Sequence, residues 1–292
     1  MNSALDLLTT IHRQGYPTDY LVARLRARSK TFAGRCPAGR GDEAWLELRR
    51  EYSWLFRQMN VSLRKQLAPV FFYFELRNLF AALRFCAGAD RDGLHTTLDH
   101  SLLGEQLQFV LKKDQPFTAT LTGLDTLLSR YGFGFNRLDH IWQTGDLGHV
   151  EAIIFSRFME FVQRQNPCLV IRHFLQQLLE RHHLLLLSKR QHWQLDNSRS
   201  TAAQPFSVQQ RLKRSLERLT RQDQAVQQDP ARLDTLLLRI MLRDCSRQAR
   251  SSEPLAMFLA YLYFCWMTAR DCGIRGLVPL LNNVQIEMEL VT

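Results

Sequence analysis

The chain of 292 residues carries 38 Lys and Arg against 28 Asp and Glu, a formal net charge of +10 with a pI near 9.6. With 46% apolar and 23% charged residues, 14 Gly and 9 Pro, the composition excludes wholesale disorder, a fibrous repeat or a peptide scaffold. Of the basic residues 32 are Arg and 6 are Lys, so the positive surface is guanidinium, which suits fixed ion pairs and polyanions. Such a surface is compatible with nucleic acid, an anionic membrane or an acidic protein partner, and charge does not choose among them.

Apolar residues recur at three- and four-residue steps and alternating runs are nearly absent, so an all-α protein is expected. The periodicity predicts helices over 19–30, 43–59, 62–87, 98–112, 116–131, 150–165, 168–193, 207–222, 230–249 and 254–272. The opening MNSALDLLTTIHRQGYP has no basic region followed by an apolar core, so no cleaved signal is expected. The six cysteines, Cys36, Cys86, Cys168, Cys245, Cys265 and Cys272, form no CxxC pair and read as free thiols of a reducing compartment.

In the first helix, YLVARLRARSK alternates Arg24, Arg26 and Arg28, which spreads them over about half the circumference. Ion pairs with acidic faces of neighbouring helices are the expectation, with an interface role left open. CPAGRGD, ending at Asp42, reads as a surface connection, and its Arg40-Gly41-Asp42 triplet as chance. PVFFYFELRNLF (Pro69 to Phe80) and MFLAYLYFCWM (Met257 to Met267) are apolar on nearly all sides and are expected in the core. Gly132-Phe133-Gly134 reads as a turn after a helix.

The predicted helix over 168–193 carries His173, Glu180, His182, His183 and His192. Glu180 and His183 have the Glu-x-x-His spacing of carboxylate-bridged di-iron bundles, but such a site needs a second copy and two further glutamates. None is found, and no metal is expected. LDNSRSTAAQPF (Leu195 to Phe206) reads as a second surface connection, and Ser207 to Gln224 as an exposed amphipathic helix. Leu255 to Ala269 is free of charge yet shorter than the roughly 20 residues that cross a bilayer, and Pro254 suits its first turn. A buried core helix is expected there.

No GxxxxGK[ST], GxGxxG, HExxH or GxSxG pattern occurs, so neither catalysis, a cofactor nor a small-molecule substrate is expected. An internal repeat does occur. WLFRQ (Trp54 to Gln58) precedes FELRNLFAALR, FVQRQ (Phe161 to Gln165) precedes LERHHLLLLSK, and DCSRQ (Asp244 to Gln248) precedes ARDCGIRGL. This suggests three helical units, 1–113, 114–206 and 207–292, with pseudo-threefold architecture.

Several of these segments resemble one family, the C subunit of V-type (A/V-type) rotary ATPases, called subunit d in eukaryotes. YLVARLRARSK (Tyr20 to Lys30) is similar to its amino-terminal tyrosine and alternating-arginine helix. FFYFELRNLFAALR (Phe71 to Arg84) resembles its acidic-x-x-Asn-Leu helix, with HFLQQLLERHHLLLLSK (His173 to Lys189) as a second copy. Ser252 to Leu277 and the final VQIEMELV (Val284 to Val291) complete the likeness along nearly the whole chain. The motif is intact as Glu75 and Asn78, altered to Glu180 and His183, and replaced by Arg270 and Gly273 in the third copy.

The resemblance implies a non-catalytic part of a proton- or sodium-translocating rotor. Three similar helical units would form a funnel on the cytoplasmic face of the membrane proteolipid ring, receiving the foot of the shaft made by the D and F subunits. The protein would then be cytoplasmic and peripheral on the inner face of the membrane, with Arg24, Arg26 and Arg28 facing a partner. Glu75, Asn78, Glu180 and His183 would hold helices together within a repeat. The reading from composition alone keeps a basic helical nucleic-acid-binding protein as the alternative.

Overall fold

Helix starts follow side chains that can satisfy the exposed N–H groups of a first turn. Asn60 accepts from the Leu63 N–H at 2.9 Å, Asp146 from His149 at 3.2 Å, and Asp229 from Ala231 at 2.9 Å ahead of Pro230 in the first turn. The computed structural model describes residues 15–35, 41–88, 91–111, 116–135, 138–142, 146–165, 167–192, 212, 214, 229–250 and 253–277. Among these the chain is all-α: α1 (Thr18–Arg35), α2 (Gly41–Gln58), α3 (Val61–Ala87), α4 (Arg91–His100), α5 (Gly104–Val110), α6 (Phe117–Arg130), α7 (Leu138–Ile141), α8 (Leu147–Arg164), α9 (Leu169–His192), α10 (Pro230–Ala249) and α11 (Pro254–Leu277). No strand occurs among the described residues.

The chain divides into two compact units, Met1–Pro167 with Thr268–Glu287, and Cys168–Met267 with Met288–Thr292. A boundary at 113/114 falls inside the first of these ranges, and one at 206/207 inside the second. Of the predicted helix over 207–222, only Leu212 and Arg214 are described, and both are helical. Cys36, Arg40, the segment 195–206 and the VQIEMELV segment at 284–291 lie outside the described residues.

In the first unit α3 is the central rod, buried along most of its length because its aromatic run is apolar on every side. Phe71 meets Tyr52 and Phe56 of α2 edge-on at 5.5 and 5.4 Å. On another side Phe72 meets Phe133 at 4.7 Å and Phe158 of α8 at 5.4 Å. Offset and edge-on pairs at these separations suit the ring quadrupoles and add to the area buried.

Phe133 reaches that cluster through the turn after α6, where Gly132 has φ +92°, a left-handed conformation that suits glycine. The Gly132 N–H bonds the Ser129 carbonyl at 3.0 Å and the Phe133 N–H bonds that of Leu128 at 3.2 Å. This closes α6 as a Schellman motif and turns Phe133 inward. At the surface Arg84 of α3 grips Glu151 of α8 through two bonds of 2.6 Å.

In the second unit α9 pairs with α10. Arg181 donates to Asp234 at 2.8 and 2.6 Å, and Gln177 to Asp244 at 3.0 Å. The residues of α11 from Ala256 to Met267 are all buried, as expected for an uncharged helix packed on every face. There Tyr263 packs edge-on against Phe174 of α9 at 5.6 Å, and its hydroxyl donates to the Leu238 carbonyl of α10 at 3.2 Å. No helix among the described residues is long and apolar enough to cross a membrane.

Candidate functional site

The alternating arginines divide by helical position. Leu21, Leu25, Ser29 and Phe32 form the buried face of α1, and Arg24 and Arg28, four residues apart, lie together beside it. Both reach Trp54 of α2, with guanidinium carbons 5.0 and 3.8 Å from its ring centre, and Arg24 also lies 5.7 Å from Tyr20. Arg28 donates from Nε and Nη2 to the two Glu51 oxygens at 2.6 and 2.5 Å, and the Glu51 side chain is 0% exposed. Arg26 is not part of this group; it faces solvent, while its carbonyl accepts from the Ser29 hydroxyl at 2.9 Å.

Glu75 and Glu180 are both buried, with 5% and 3% of their surfaces exposed. Glu75 accepts from the Ser101 hydroxyl at 2.6 Å and from the Asn78 amide at 3.4 Å. Ser101 in turn accepts the Leu103 N–H at 3.0 Å, and here the single helix expected over 98–112 breaks into α4 and α5. Burial pushes the Glu75 carboxyl above the usual range, partly opposed by Ser101, the Leu102 N–H, Asn78 and the charge of Arg49.

Glu180 accepts the backbone N–H of Leu212 at 3.0 Å. Each carboxylate on a long helix thus receives a donor from a segment well downstream, 26 residues on for Glu75 and 32 for Glu180. His183, three residues after Glu180, is half-buried, and Arg270, expected at a third motif position, is half-buried with Nη1 3.6 Å from Asp271.

One histidine of α9, His182, has cationic neighbours. His182 is held low, to about 4, by burial first and then by the charges of Arg181, Lys189 and His183. It is therefore neutral near pH 7. Among the described residues no three His, Cys, Asp or Glu side chains come together to hold an ion.

Comparison with protein-family models, curated proteins and solved structures finds no match. The arrangement itself names the residues that sequence reasoning passed over. Glu51 lies 23 positions from its arginine and Ser101 lies 26 from its carboxylate, so no local spacing marks either pair. Glu51 does fall on the apolar stripe of α2, between Leu48 and Leu55, and an acid in a buried register is a signal that it has a partner.

Arg28→Ala is expected to cost about 3–5 kcal/mol, because it takes a doubly bonded cation away from the buried Glu51 carboxylate, whereas Arg26→Ala stays within about 0.5 kcal/mol; urea unfolding measures both. Ser101→Ala should remove about 1–3 kcal/mol by taking a donor from Glu75, with Glu180→Leu similar through the stranded Leu212 N–H, checked by the same titration. His182 binds a proton far less readily folded than unfolded, where its value is 6.5. Its contribution to stability is therefore complete above pH 6.5 and drains away as pH falls toward about 4. Melting temperatures measured across that window should fall less steeply for His182→Gln than for the parent.

Proposed function

We propose that the chain is a non-catalytic socket subunit of a V-type rotary ATPase, a counterpart of the C subunit and of eukaryotic subunit d. The observation that carries this reading is the recurrence of the acidic motif on α3 and α9. In each copy the carboxylate is buried and takes a hydrogen bond from the chain about thirty residues later. Such equivalence favours a duplicated helical unit, and it falls on the segments that carry the family resemblance.

In this reading three related helical units form a funnel, as the family pattern implies, and Arg270 marks the place where the third has lost its acid. The wide face would rest on the proteolipid ring at the cytoplasmic surface, so the chain would be peripheral on the inner face of the membrane. The foot of the shaft, made by the D and F subunits, would seat in the funnel. Ion transport then needs from this part only that torque pass without loss.

The physical requirement is stiffness. Long helices joined by doubly bonded ion pairs, Arg84 with both oxygens of Glu151 and Arg181 with Oδ1 of Asp234, and cross-linked by buried hydrogen bonds, resist shear. A socket also needs oriented contact, which guanidinium groups provide through electrostatic complementarity.

Mixing the purified chain with the purified D and F shaft subunits is expected to give a stable complex in size-exclusion chromatography at low and at moderate salt. Separate elution at both salt concentrations would overturn the proposal.

A further inference from the structure

The helix α2 has two faces of opposite chemistry. Ala44, Leu48, Glu51, Tyr52 and Leu55 are buried. The other face lines a groove of about 480 Å³ with Arg49, Arg50, Ser53, Trp54 and Arg57, at the three-, four- and seven-residue steps that make one stripe of a helix. From α1, Arg24 and Arg28 lean over Trp54 and bring two more guanidinium groups to its edge.

Five arginines therefore gather along this stripe; Arg28 holds Glu51, and Arg50 holds Glu47 at 2.5 Å. Arg49 donates to the backbone carbonyl of Asp99 at 2.8 Å, and its charge also bears on the buried Glu75. The groove keeps a positive excess. Arg50 and Arg57 are exposed and stand seven residues apart, about 10 Å along the axis.

We infer that this groove is a docking surface for an acidic amphipathic helix of a protein partner, its carboxylates meeting Arg49, Arg50 and Arg57 and an apolar residue resting against Leu46 and the part of Trp54 that lines the groove. The spacing is that of helix against helix, in which carboxylates one and two turns apart face guanidinium groups at the same interval. Nucleic acid fits less well, because base stacking wants an open aromatic face and Arg28 already covers Trp54 at 3.8 Å. A bilayer is flat, and these charges line a concavity. The inference concerns the first unit alone and holds whether or not the chain joins a rotary shaft.

The test uses the full chain and a fluorescently labelled amphipathic peptide with glutamates one and two turns apart and a leucine stripe. Anisotropy should show binding that weakens as salt rises and falls by about tenfold, 1.4 kcal/mol, in the double variant Arg50→Glu with Arg57→Glu. The same charge change at Arg243 and Arg247, exposed on α10, should leave it within about twofold. A peptide with lysines in place of the glutamates should prefer the double variant to the parent.

Should the double variant not fold by circular dichroism, Arg57→Ala decides, since this exposed residue can be truncated without opening the core. Equal affinity of parent and groove variant for the acidic peptide overturns the inference. So does loss of poly(U) or phosphatidylglycerol-vesicle binding in the groove variant while acidic-peptide binding is unchanged.

Discussion

A carboxylate inside a helical core must be given donors or a cation, since its transfer from water otherwise costs several kcal/mol. Three acids are placed that way among the described residues, Glu51, Glu75 and Glu180, and each sits on a long helix with its partner elsewhere in the chain. Satisfying them dictates where other segments go. Glu51 binds α1 to α2 through Arg28, Glu75 fixes the break between α4 and α5 at Ser101, and Glu180 holds the backbone at Leu212.

Apolar packing alone would leave more freedom. Helices with smooth hydrophobic stripes can slide or rotate against one another at small cost, and only specific complementarity selects one arrangement. Here the aromatic cluster around Phe72 packs α3 against α8, while Arg84 with Glu151 ties those two helices at the surface and the buried acids fix other segments. Within each unit such bonds oppose sliding of the helices they join, which is the demand the proposed role places on it.

The arginine excess has two destinations. Arg28, Arg84 and Arg181 are engaged bidentately or twice with single carboxylates, and so serve the interior organisation of each unit. Arg26, Arg50 and Arg57 face solvent. A net positive chain thus spends part of its guanidinium on itself and displays the rest, and the stripe on α2 is where display and concavity coincide.

The amino-acid sequence by itself determined that the protein is helical, where most helices start and that Pro254 opens one buried from Ala256 to Met267, because periodicity, caps and proline act within a few residues. It also singled out Glu75 and Glu180, each on a long predicted helix. Tertiary structure alone decided that Ser101 and the Leu212 N–H are their donors, that Trp54 gathers Arg24 and Arg28 but not Arg26, and that a predicted helix divides at Ser101. Those outcomes depend on groups more than twenty residues apart, and no local pattern encodes which distant donor an acid will find once both are excluded from water.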